Sequence, residues 1–254
     1  MEKQPKCSYC EIFGEKPHCH NCKIFNKAVT NRDPHEIPYS LEEMIAYINN
    51  PESNFDGDFR VGDYKLVELT TGEQVRLVLI DTDKDDLASG TGKAKTTFAI
   101  LPIDGRYEMN VESTNRGGYT ASKMRMTYLP RIFSLLPKEL REAIKPVLKK
   151  TADLSVGEIK SSTEVLWLFS EVEVLGKNSY SQRGEGEQYE HFMLKKNRPF
   201  PNYVWTRSPY RSYYFCVVYD DGSGYGYANY ILSPACSSAF VSNLKSKIRP
   251  ILGR

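Results

Sequence analysis

Four of the chain's six cysteines, Cys7, Cys10, Cys19 and Cys22, fall within the first 22 residues in the spacing C-x2-C-x8-C-x2-C. Each C-x2-C pair presents two thiolates on one tight turn, and two such turns complete the tetrahedral four-sulfur shell that zinc prefers. A segment this short cannot bury a core, so it folds around its metal, whose binding free energy is its folding free energy. The x8 gap predicts a compact knuckle rather than a long-fingered ribbon. His18 and His20 flank Cys19 and are alternative ligands in place of a thiolate. Four protein ligands leave no coordination position for water, so the expected Zn2+ is structural and not catalytic. The competing reading, a pair of disulfides, needs an oxidising compartment. The opening MEKQPKCSYC has no apolar stretch behind basic residues, and no run approaches the roughly 18 apolar residues of a spanning helix. Neither secretion nor membrane insertion is expected.

The rest of the chain divides by pattern. Residues 1–30 are expected to be the knuckle, 31–55 a polar linker with one short helix, and 56–254 a single larger domain. In the linker segment, Ser40 and Glu43 form a capping box before Leu41, Met44, Ile45 and Ile48, which share one helical face; Asn49-Asn50-Pro51 stops the helix. His35 just upstream reads as an exposed loop residue. From Asp56, two β-rich runs flank Thr70-Thr71-Gly72-Glu73, a hairpin. The acidic run 81–86 lacks the glycine and glutamate of a calcium loop and reads as a solvated turn. Between Gly117 and Pro146, apolar residues recur at helical spacing in two segments separated by Pro130 and Pro137. The Met124 and Met126 pair reads as packing. Residues 164–175 form a hydrophobic run in which Ser170-Glu171 is placed to cap a short turn or helix.

Seven of the seventeen tyrosines lie between residues 208 and 230, among serine, glycine, aspartate and asparagine. Tyrosine offers stiff contact area with a hydroxyl handle, and Ser, Gly and Asn supply adaptable hydrogen bonds, a mixture that suits a recognition surface. It also suits ordinary strand and turn composition, because tyrosine favours strands. At period two, Tyr213, Phe215, Val217 and Tyr219 share one strand face, and Tyr214, Cys216, Val218 and Asp220 the other. One face is expected to be core, with Phe215 and Val217 inward. Tyr210, Tyr225, Tyr227, Asn229 and Tyr230 are expected outward on loops; with Tyr213 and Tyr219 they form the candidate ligand-contact set. Asp221-Gly222-Ser223 reads as the turn between strands.

In order along the chain, SLLPKELREAIKPVLKKT, LFSEVEVLG, GEGEQYEHF, WTRSP and FCVVYDDGS resemble an uncharacterised domain family of gut bacteria and their prophages. That family is similar to the C-type lectin fold, in the branch holding formylglycine-generating enzymes and the variable proteins of diversity-generating retroelements. The resemblance covers roughly residues 60–240. It departs at Val204-Trp205-Thr206-Arg207, where members more often read WWLR, and at SPACSSAF, where members have an apolar residue before the final motif. It implies an α+β, C-type-lectin-like domain of mixed short strands and two or more helices behind the knuckle. It also implies a surface whose AAY codons diversify to Tyr, Asn, Ser or Asp. Trp205 and Arg207 are expected to lock the core beside the site.

The function expected is recognition of a protein or glycan by the tyrosine-rich surface, without catalysis. Lys and Arg total 34 against 32 Asp and Glu, so no basic field exists for nucleic acid. A homo-oligomer or a phage particle is the candidate assembly, in a bacterial cytoplasm or on a virion. A different class is a zinc-knuckle adaptor that carries the lectin-like domain as a scaffold. An enzyme of formylglycine-generating type would need a reactive cysteine pair, and Cys216 and Cys236 are the two in the domain. Cys216 reads as a buried mid-strand residue and His191 as part of a polar loop, so no nucleophile, base and orienter can be named together.

Overall fold

The computed structural model describes residues 33–50, 59–101, 107–112, 114–200, 203–211, 213–228 and 240–244. The chain divides into two compact units, Met1–Glu36 and Ile37–Arg254. Cys7, Cys10, Cys19 and Cys22 of the expected knuckle, with His18 and His20, lie outside the described residues, as do Asn229, Tyr230 and Cys236. Of the first unit, residues 33–36 are described: a turn in which the Asp33 carboxylate accepts the His35 N–H at 3.0 Å.

The second unit is mixed α+β, built from short antiparallel strands and few helices. Helix α1, Leu41–Asn49, starts at the predicted box: the Ser40 hydroxyl accepts the Glu43 N–H at 3.1 Å, and the Glu43 carboxylate accepts the Ser40 N–H at 2.8 Å. It ends where Asn50 turns extended ahead of Pro51. Strands β1, Tyr64–Glu68, and β2, Gln74–Thr82, form the expected hairpin. With β3, Thr96–Leu101, β6, Leu166–Leu168, and β10, Phe240–Leu244, they make a five-stranded antiparallel sheet in the order β1-β2-β3-β10-β6. Strands β4, Val147–Asp153, and β5, Glu158–Glu164, pair as a separate hairpin. Strands β7, Val204–Tyr210, β8, Tyr214–Val218, and β9, Gly224–Ala228, form a three-stranded meander.

The helical region corrects one expectation. A π-helical turn, Met124–Tyr128, runs directly into α2, Leu129–Leu135, so Pro130 does not separate two helices. It sits at the junction of the π-helical turn and α2, in the first turn of α2. Helix α3, Lys138–Ala143, follows Pro137. Met124 is fully buried as expected, but Met126 is 62% exposed. Two further short helices, α4, Glu171–Leu175, and α5, Glu190–Met193, complete the α-helices among the described residues.

Strand residues one apart point to opposite faces, and here both faces of the large sheet are covered. Leu77, Leu79, Phe98, Ile100 and Leu168 join Met44 and Ile48 of α1 and Ile132 of α2 in one core. Val78, Ile80, Ala99 and Trp167 join Phe169, Phe192 and Val204 in the other. This explains why LVLI, residues 77–80, and LWLF, residues 166–169, read as continuous apolar runs rather than as alternation. Each large side chain buried this way contributes about 1.5–3 kcal/mol relative to exposure.

The same double coverage corrects the reading of β8. Phe215 and Val217 are inward and Cys216 is buried as expected, but Val218 on the second face is 0% exposed too, so both faces are core, because α4 packs against β7 and β8. The acidic run 81–86 is not uniformly a solvated turn. Asp81 and Asp85 are 7% and 6% exposed, a β-bulge between Leu79 and Asp81 having turned the chain inward. Asp81 then accepts the N–H of Glu190 at 3.0 Å, fixing the start of α5, and burial raises its pKa.

Candidate functional site

The meander carries a chain of tyrosine rings. Tyr203, just before β7, lies 4.5 Å from Tyr219 between ring centroids; Tyr219 stacks on Tyr225 at 5.6 Å; and Tyr225 lies 6.1 Å from Tyr180, whose edge meets Tyr210 at 5.5 Å. Tyr203 and Tyr225 are each 40% exposed, and the other three rings are half-buried. The rings approach because Gly226 has no side chain: a Cβ there would stand 2.6 Å from the Tyr180 ring and 2.7 Å from that of Tyr210. At the β8–β9 turn the Tyr219 N–H reaches the Ser223 carbonyl at 2.8 Å, and Gly222 takes φ +77°, as an Asp-Gly turn requires.

Tyr180 belongs to the segment between α4 and α5, and a buried carboxylate holds it. Glu171 is 0% exposed and accepts the N–H groups of Ser179, Tyr180 and Ser181 together with the Ser181 hydroxyl, at 2.6 to 3.2 Å. Its own N–H donates to the Ser208 hydroxyl of β7 at 2.9 Å. The turn between β7 and β8 is pinned in turn by Asn115, 3% exposed, whose amide donates to the carbonyls of Arg211 and Tyr214 at 2.7 and 2.9 Å. Arg211 takes a left-handed φ of +50° there and stands 5.0 Å over the Tyr210 ring.

Beneath the platform lies a closed ionic network. The Arg207 guanidinium, 0% exposed, forks onto both oxygens of Glu173 and donates also to the carbonyls of Leu168 and Glu185 at 2.8 and 2.7 Å. The cap expected at Ser170-Glu171 is a capping box whose second member is Glu173, and Glu173 is at once the partner of Lys149. Lys149 bonds Asp85 at 2.7 Å and the Tyr189 hydroxyl at 2.9 Å. Burial pushes Glu173 up, but Arg207 and Lys149 outweigh it and hold its pKa at about 2. Glu185 has weaker support: its Oε1 accepts the Ala152 N–H at 2.8 Å, and burial pushes its pKa up to about 7. The stretch GEGEQYEHF is therefore not a polar loop throughout, since Glu185 and Tyr189 are 0% exposed.

Of the seven predicted contact residues, the structure brings three, Tyr210, Tyr219 and Tyr225, into one cluster. Tyr213 is 58% exposed but packs on Tyr214, away from these rings. Tyr227 lies on β9, and Asn229 and Tyr230 lie outside the described residues. The loop assignment is corrected for Tyr210, Tyr225 and Tyr227, which are strand residues because β7 and β9 run further than the Gly-rich sequence suggested. Sequence reasoning missed Tyr180 and Tyr203, whose only signal is an aromatic residue among serines or prolines.

Of the groups considered for catalysis, Cys216 and His191 are among the described residues and Cys236 lies outside them. Cys216 is 0% exposed, and burial pushes its thiol pKa up, away from the reactive thiolate. His191 is not an exposed loop histidine: it sits in α5, and burial lowers its pKa to about 4. Its packing against Phe192 explains the difference. Trp205, 3% exposed, donates its indole N–H to the Tyr107 carbonyl at 2.8 Å. Among the described residues no helix is long and apolar enough to cross a membrane.

The family described as Domain of unknown function (DUF6273) matches residues 84–252, more than half of the 254-residue chain. No curated protein and no solved structure matches.

Proposed function

The chain belongs to the DUF6273 family, and we propose that in this member the tyrosine-bearing face of the meander is a recognition surface that binds a protein or glycan without chemical conversion. The observation that carries this reading is the contiguity of Tyr203, Tyr219, Tyr225, Tyr180 and Tyr210 on a platform fixed by Glu171, Asn115 and Gly226. Rings held this way lose little conformational freedom on binding, and tyrosine combines stiff contact area with a polar handle. The fold proposed for the domain is C-type-lectin-like. Its tyrosine codons are proposed to be a diversified set of the retroelement kind. The four N-terminal cysteines are proposed to hold a structural Zn2+ that folds their segment without entering the binding event.

The test is direct. Arrays of oligosaccharides and of extracellular proteins are probed with the full chain and with Tyr203→Ala/Tyr225→Ala. Capture of a ligand by the native chain and its loss in the variant, with the thermal transition unchanged, supports the surface. Capture that survives the variant for every ligand places recognition elsewhere.

A further inference from the structure

A groove of about 340 Å³ opens beside the tyrosine cluster, and Tyr180 is common to both. Its walls carry Lys177, Lys195 and Arg198. Three cations face one exposed acid, Asp221, and that carboxylate is already committed to its own turn, accepting the Ser223 N–H at 2.8 Å. The nearest buried acid, Glu171, is occupied by the 179–181 donors. Arg198 is fixed, because its Nε donates to the Phe192 carbonyl at 2.8 Å. Among the described residues neither Lys177 nor Lys195 makes an ion pair. The Gly222 turn presses its backbone against Arg198, where an added Cβ would stand 2.9 Å from the arginine Cβ, so the cations border bare main chain.

We propose that this groove is an anion subsite of the tyrosine surface and that the ligand is an acidic saccharide, carboxylated or sulfated. The inference rests on the recognition reading above and names its ligand class. Like charges held around one small opening concentrate an anion there. Apart from Leu175, the groove is lined by polar and charged side chains and glycine, so it offers no apolar pocket of the kind that anchors a protein hot spot. A sugar ring lying across Tyr180 and Tyr225 with its acidic group in the groove uses both features at once.

The full chain is titrated at low ionic strength with four probes: tetragalacturonate, a chondroitin sulfate tetrasaccharide, neutral maltotetraose and hexaglutamate. At least one acidic saccharide is expected to bind, with the neutral sugar and the acidic peptide each at least tenfold weaker. Lys177→Ala/Lys195→Ala, at two exposed positions, is expected to weaken that binding about tenfold and to flatten its salt dependence. Binding of tetragalacturonate shows that a carboxylate suffices, and binding of the chondroitin sulfate alone, which carries both carboxylates and sulfates, points to a need for sulfate. The inference is overturned if neither binds, if the neutral sugar or the peptide binds as well, or if the lysine variant binds unchanged. The tyrosine surface itself stands or falls separately, by whether Tyr203→Ala/Tyr225→Ala retains whatever the native chain captures.

Discussion

Glu171 and Tyr180 join the interior of this protein to its surface: the buried carboxylate accepts the Tyr180 main-chain N–H at 3.2 and 3.1 Å, and the ring of the same residue stands between Tyr210 and Tyr225. Glu171→Ala removes the acceptor of three backbone donors at once. A loss of about 2–4 kcal/mol in unfolding free energy is expected by denaturant titration, with amide exchange rising first at 179–181. Unchanged exchange there would show that the segment is held by something else.

Arg207→Met leaves two buried carboxylates, Glu173 and Asp85, against the single cation of Lys149. Breaking a buried pair from one side costs about 3–5 kcal/mol, so the variant is expected to unfold at much lower denaturant than a surface control such as Arg131→Met. A small effect would mean that water reaches Glu173 through the cleft lined by Lys84, Glu187 and Tyr189.

Glu185 gives the protein a pH dependence of definite sign. Its folded pKa of about 7 lies above the ordinary 4.5, so its contribution is fully present below about pH 4.5 and is lost as pH rises through about 7. His191, held down at about 4, contributes in the opposite sense, losing stability as pH falls from 6.5 through 4. Glu185→Gln keeps an acceptor for Ala152 and removes the titration. Comparison with the native chain isolates Glu185: the variant is expected to gain relative stability between pH 5 and 8, on the order of 3 kcal/mol. Parallel curves would refute the assignment.

Gly226→Ala tests the ring packing without touching a tyrosine. The new methyl meets the Tyr180 and Tyr210 rings at less than contact distance, and overpacking of this kind costs about 1–3 kcal/mol. Ligand capture is expected to fall further than the stability loss accounts for. Tyrosine fluorescence of the variant should shift in step.

The N-terminal cysteines are expected to carry about one zinc ion per chain by elemental analysis. Cys7→Ser/Cys19→Ser should lose it and leave the thermal transition of residues 37–254 in place. Purified chain free of metal after expression in zinc-supplemented medium would remove the knuckle proposal.

Much of the local structure was legible. Ser40 with Glu43, and Asp221 with Gly222, each satisfy backbone groups within a few residues, and Ser170 caps the turn it was placed to cap, so their chemistry is written in adjacent letters. Phe215 and Val217 were placed inward by alternation alone. What alternation could not show is that Val218 is covered as well, because the covering layer, α4, comes from forty residues earlier in the chain, roughly.

The candidate site divides along the same line. The composition of residues 208–230 marked an aromatic surface, and five short motifs marked a family. The sequence by itself determined the caps, the turns, the strand runs and the supply of tyrosines. Only the tertiary structure decided which tyrosines meet. It brought Tyr180 onto Tyr225 through a buried carboxylate, and turned Asp85, Lys149, Glu173 and Arg207 from scattered charges into one network. The ion-paired partners lie roughly 24 to 64 residues apart in sequence, and a charge buried at such separation is stable only when the whole fold delivers its counter-charge, which no local pattern encodes.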